Sequence, residues 1–89
     1  MPERTAVIGS TVGLHARPAT LFVQAVVASG LPVTIAKEGG APVDARSMLT
    51  VMGLGARGGE RVVLAAEGDD ADAKLDELVK LLETDLDSD

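Results

Sequence analysis

The chain has no cysteine, no tryptophan, no tyrosine and a single phenylalanine, Phe22. Missing thiols exclude disulfides, thiolate metal sites and cysteine nucleophiles together, and they fit a reducing compartment. With one aromatic ring, the core has to be built from Val, Leu, Ala, Ile and Met within a 46% hydrophobic composition. Eighty-nine residues suit one domain, near the lower limit for a core without staples. Residues 1–89 are therefore expected to form a single unit, with the acidic "DLDSD" at 85–89 fraying. Also absent are a signal-peptide pattern in "MPERTAVIGS" and any apolar run of membrane-spanning length. A cytoplasmic protein is expected.

Positive charge is scarce as well. The net charge is −6, and residues 67–89 hold ten of the fourteen acidic groups but two of the eight basic ones. The first 66 residues thus carry +2, from six basic and four acidic groups. An acidic chain without aromatic platforms is poorly suited to nucleic acid. The acidic end reads as a solvated helix and tail. Arg4, Arg17, Arg46, Arg57 and Arg61 leave room for an anion-friendly surface, or one that meets an acidic partner.

What is present is clear periodicity. "RTAVIG" (4–9) reads as a strand, and Ala19, Phe22, Val23 and Val26 make one buried stripe of a helix over 16–29 that Gly30 stops. "LPVTIAK" (31–37) alternates as a second strand, and "EGG" turns it into "APVDA" (41–45), a third that Pro42 suits to an edge. Ser47 is placed to cap a short helix within 47–55, closed by Gly53 and Gly55. "ERVVLAAEG" (60–68) gives a fourth strand with Val62, Leu64 and Ala66 on one face. Asp69 or Asp70 is expected to cap a last helix, whose stripe is Ala71, Leu75, Leu78, Val79 and Leu82. The order β-α-β-β-α-β-α predicts an α+β open-faced sandwich, a mainly antiparallel sheet covered on one face by three helices. Periodicity leaves the strand order open.

The chain's single histidine lies in "GLHARPAT" (13–20), just before the first helix, with Pro18 in the first turn, where proline is tolerated. A helix N-terminus attracts anions, phosphate above all, and its positive end favours a neutral, nucleophilic imidazole. Arg17 adds a guanidinium matched to phosphate oxygens. The glycine pairs at 39–40 and 58–59 lack a P-loop pattern and read as turns. No second acid or base and no metal-ligand cluster stands near His15 in sequence. The pattern is that of a group acceptor and donor completed by its partners, although a lone histidine at a helix start is also an ordinary cap or surface residue.

The combination of "GLHARPAT" with "VDARSMLTVMGLG" some thirty residues later resembles the HPr family, the histidine-containing phosphocarriers of the bacterial phosphoenolpyruvate:sugar phosphotransferase system. The resemblance spans essentially the whole chain. It implies that His15 carries a phosphoryl group on Nδ1, taken from phosphorylated enzyme I and passed to enzyme IIA components of sugar permeases. It further implies Arg17 as the accompanying cation, the amides of Ala16 and Arg17 as phosphate ligands, and the strand order 1-4-2-3. Ala16, Arg17, Thr20, Met48, Leu49 and Met52 would form the shared docking surface of a monomer that needs no metal or cofactor and does not insert into a membrane. Ser47 matches a serine that an ATP-dependent kinase phosphorylates in many Gram-positive members, and it is equally a plain helix cap. Val12 departs from the small polar residue common in the family, Arg46 replaces the usual Lys, and Thr50 fills a position often Gly or Lys. Retention of His15 argues against the catabolite-repression homologue that lacks it. Two other readings stay open: a nitrogen-related or dihydroxyacetone-kinase phosphorelay, and a regulatory binding module acting through the Ser47–Met52 surface.

Overall fold

A computed structural model describes residues 2–10, 13, 14 and 16–84. The expectations for Val12, His15 and the end at 85–89 fall outside the described residues. The elements are β1 (Glu3–Val7), α1 (Ala16–Ser29), β2 (Thr34–Lys37), β3 (Val43–Asp44), α2 (Met48–Gly53), β4 (Arg61–Ala65) and α3 (Ala71–Glu83). They follow the expected order; β3 and β4 are trimmed at both ends, β2 begins later, and β1 starts one residue earlier and ends at Val7.

The sheet runs β1-β4-β2-β3, and all three strand pairs are antiparallel. Registers of Ala6 opposite Val62 and Ile35 opposite Leu64 put these four fully buried side chains on one face. Phe22 and Val26 of α1, Val51 of α2 and Leu75, Leu78 and Leu82 of α3 pack on that face in one core. The stripe read from α1 is buried throughout, and Pro18 joins it. Thr34, Ala36, Val63 and Ala65 look to the other face, which no helix of the described residues covers. Those four residues help line a shallow depression of about 360 Å³ there.

Three local expectations are refined. Leu31 to Val33 lie ahead of β2, with the Val33 N–H donating to the Leu31 carbonyl at 2.9 Å, a tight turn where Pro32 sits. Pro42 lies just outside the two-residue edge strand β3. Asp70 does occupy the N-cap position of α3, but its backbone is left-handed (φ 62°) and its carboxylate makes no capping hydrogen bond. Aspartate tolerates that conformation because its short polar side chain lowers the steric cost. Gly30 ends α1 as expected, with φ 74° and its N–H on the Val27 carbonyl at 3.1 Å.

Candidate functional site

The segment that leads into α1 is clamped from two sides. On one, the Ile8 N–H donates to the Glu60 carbonyl (2.9 Å), the Gly59 N–H to the Ile8 carbonyl (2.8 Å), and the Leu14 N–H to the Ala56 carbonyl (2.9 Å). On the other, the Gly9 N–H reaches the Leu82 carbonyl at the end of α3 (2.8 Å), and the Val7 N–H reaches Glu83 Oε2 (3.3 Å). Gly13 has φ 80°, and a Cβ there would collide with the Ala56 carbonyl oxygen and come within 2.8 Å of Arg57 Cα. Leu14 is buried in the core cluster. The chain therefore reaches position 15 from a fixed starting point, and α1 continues from Ala16 on the far side.

Ala16 and Arg17 open α1 and are exposed, while Pro18 anchors the first turn in the core. No acidic side chain stands in that turn to offset the positive end of the helix dipole. Thr20 is half-buried, and its hydroxyl donates to the Ala16 carbonyl at 2.6 Å. The bond draws that hydroxyl back along the helix.

Next to this terminus lies α2, packed against α1. The chain leaving it is the chain whose Ala56 carbonyl holds Leu14. Ser47 caps α2 as read from the sequence, its half-buried Oγ accepting the Thr50 N–H at 3.5 Å. Asp44 reinforces the approach. Its Oδ1 accepts the Arg46 N–H (2.9 Å) and Nε (3.1 Å), and its carbonyl accepts the Thr50 hydroxyl (2.6 Å). The Arg46 guanidinium, followed by the Arg46 backbone N–H, holds the Asp44 carboxyl below its usual value. Of the apolar side chains on α2, Val51 is core and Met48 is half-buried against the core. Leu49 is 84% exposed and Met52 40%. A six-residue helix has too few neighbours to bury every side, and these two are left outward.

The structure thus gathers Ala16, Arg17, Thr20, Leu49 and Met52 on two adjoining elements, with Met48 turned partly inward. What sequence reading missed is the clamp. "ARGG" signals a turn, but nothing in its composition says that the turn grips Gly13 and Leu14. Among the described residues, no group of acidic or imidazole side chains could hold a metal ion, and no helix is long and apolar enough to cross a membrane.

Fold and site together define a class: a small open-faced β-sandwich that presents a helix N-terminus, fed by a clamped loop, beside a short helix with bare Leu and Met side chains. Comparison with known proteins narrows it. The family model described as the phosphotransferase-system HPr component phosphorylation site matches residues 2–84. A phosphocarrier protein HPr of Streptomyces coelicolor is 56% identical over 82 residues, covering 92% of this chain and 88% of that protein. The crystal structure of HPr-C-His from Thermoanaerobacter tengcongensis superposes with a TM-score of 0.88 at 38% identity, covering 100% of this chain and 99% of its own. An HPr dimer structure from the same organism gives 0.73 at 39% identity, over 99% and 100% of the two chains. The chain belongs to the HPr family, the phosphocarriers of the phosphotransferase system.

Proposed function

We propose that His15 is the phosphoryl acceptor and that the transfer proceeds through its Nδ1. The Nδ1 lone pair attacks phosphorus on phosphorylated enzyme I. The bond from phosphorus to the donor breaks, and its electron pair stays with the donor. In the second transfer a nucleophile of a IIA component attacks the phosphorus, the P–Nδ1 bond breaks, and its electron pair returns to Nδ1. Arg17 and the first-turn amides of Ala16 and Arg17 balance the phosphoryl charge, so the chain supplies position and electrostatics. Its partners complete the catalysis, which makes this chain a carrier and not an enzyme.

The observation that supports the reading is the clamped approach to position 15 beside an acid-free first turn whose Ala16 and Arg17 are exposed. Leu49 and Met52, with Ala16, Arg17, Thr20 and the outer part of Met48, provide the docking surface for enzyme I and IIA in turn. The protein acts as a cytoplasmic monomer of one domain, without metal or cofactor, and Ser47 serves first as the cap of α2.

Incubation with phosphoenolpyruvate and enzyme I, followed by mass-spectrometric mapping, tests the assignment. An acid-labile, alkali-stable group on wild type and on Ser47→Ala, absent from His15→Ala, is expected. A group that persists in His15→Ala would sink the assignment. Sedimentation of the unphosphorylated protein checks the monomer.

A further inference from the structure

The docking helix and the first turn of α1 do not account for how the chain just before position 15 is held. That hold comes from the turn at 56–60, and one side chain closes the turn. The Glu60 N–H donates to the Arg57 carbonyl at 3.0 Å. In return Glu60 Oε1 accepts the Arg57 N–H at 3.0 Å. Its other oxygen, Oε2, lies 3.3 Å from Lys37 Nζ at the end of β2. From this closed turn, the Ala56 carbonyl takes the Leu14 N–H, and Gly59 and Glu60 pair with Ile8.

We infer that Glu60 is a positioning residue for phosphoryl acceptance: its carboxylate fixes the 56–60 turn, and the turn fixes Leu14, from which the chain enters position 15. This deepens the carrier reading and rests on His15 being the acceptor. The Arg57 backbone N–H, joined by Lys37, holds the Glu60 carboxyl below its usual range, so the ionised form sits in the turn at neutral pH. Of its two attachments, the one to Arg57 carries the effect. A side-chain oxygen that accepts a nearby backbone N–H defines the local backbone conformation whether or not it is charged. The Lys37 pair joins two half-exposed side chains and contributes little.

Three variants separate the parts. Glu60→Ala removes both attachments, Glu60→Gln keeps an oxygen for the Arg57 amide without the charge, and Lys37→Met removes only the ion pair. Each is assayed for phosphorylation by enzyme I and phosphoenolpyruvate, and by NMR titration of the His15 imidazole with the Leu14 and Gly59 amide signals followed alongside. Glu60→Ala is expected to lose about tenfold in kcat with KM within about twofold, because position at the reacting atom is lost while docking is kept. It should also move the His15 titration midpoint and the Leu14 amide signal. Glu60→Gln and Lys37→Met should stay within about threefold of wild type with an unmoved midpoint. Should Glu60→Ala not fold, Glu60→Asp, which keeps the charge but shortens the reach to the Arg57 amide, takes its place with the same expectations. A wild-type kcat and midpoint in that variant, or an equal loss in Glu60→Gln, would overturn the inference. Wild-type protein that took no phosphoryl group on His15 would instead remove the carrier reading. The NMR arm needs no donor and would still decide whether Glu60 governs the imidazole.

Discussion

Gly13 shows how much of this molecule's function rides on single backbone positions. Its φ of 80° is a conformation that a side chain disfavours, and the space where a Cβ would go is filled by backbone of Ala56 and Arg57. Gly9 is tight for a related reason: a Cβ there would meet the Glu83 backbone, with its carbonyl carbon at 2.6 Å. Neither contact can yield by rotating a side chain, because the obstacle is main chain in both. Gly13→Ala is therefore expected to cost about 2 kcal/mol or more of stability, combining the left-handed penalty with displacement of the turn. It should also slow phosphorylation by moving Leu14. Urea denaturation beside the enzyme I assay checks both, and a variant with unchanged stability and rate would show that the loop is not clamped. Gly39, by contrast, shares a positive φ but has open space around it, so alanine there meets only the backbone penalty.

At the scale of elements, two carboxylates tie one piece of secondary structure to the next, and both are held below their usual pKa. Asp44 links the end of β3 to Arg46 ahead of α2, chiefly through the guanidinium. Glu60 closes the turn before β4, chiefly through the Arg57 amide. A carboxyl depressed in the folded state stabilises above its unfolded pKa of about 4 and loses that contribution as pH falls through the lower folded value. The thermal midpoint is thus expected to be level above about pH 5 and to drop below about pH 4. Asp44→Asn should make that drop shallower, and a limb as steep as wild type would refute the linkage. These ties also mark the boundary of what the sequence disclosed. The stripes on α1 and α3 and the alternation in β2 and β4 were legible because burial repeats with the period of the element. Gly30 and Ser47 were legible because chain ends need particular chemistry. The order β1-β4-β2-β3 was not available from periodicity, since pairing of Ala6 with Val62 joins residues far apart in the chain; it came with the family resemblance. Asp70 was legible as the N-cap position of α3, but its left-handed backbone and uncapping carboxylate were not, because an acid at a helix start does not disclose its own φ. His15 is proposed from "GLHARPAT", whereas the Glu60 turn, closed locally on Arg57, grips Ile8 and Leu14 through contacts across the fold that no local pattern announces.

For the molecule as a whole, the division between inside and outside separates folding from recognition. Phe22 and Leu64 are fully buried and belong to folding, whereas Leu49 spends 84% of its surface in water. Exposure of that degree returns no packing to the fold, and Leu49 adjoins the start of α1, which is the ground for the docking role proposed for it. The charge distribution is compatible with that proposal, because ten of fourteen acidic groups lie in residues 67–89, outside the stretch 16–52 that holds the proposed docking residues. Leu49→Asp tests the division directly. It places a charge where a partner's apolar surface would sit, so KM for this protein as substrate of enzyme I should rise about tenfold, as at a contact worth more than 1 kcal/mol. The turnover number should hold, since the approach to position 15 is untouched. The melting temperature should hold as well, because no packed neighbour is lost. If Leu49→Asp lowered kcat while leaving KM unchanged, α2 would be acting on the chemistry and not on docking. The surface that binds and the clamp that positions would then have to be treated as one device.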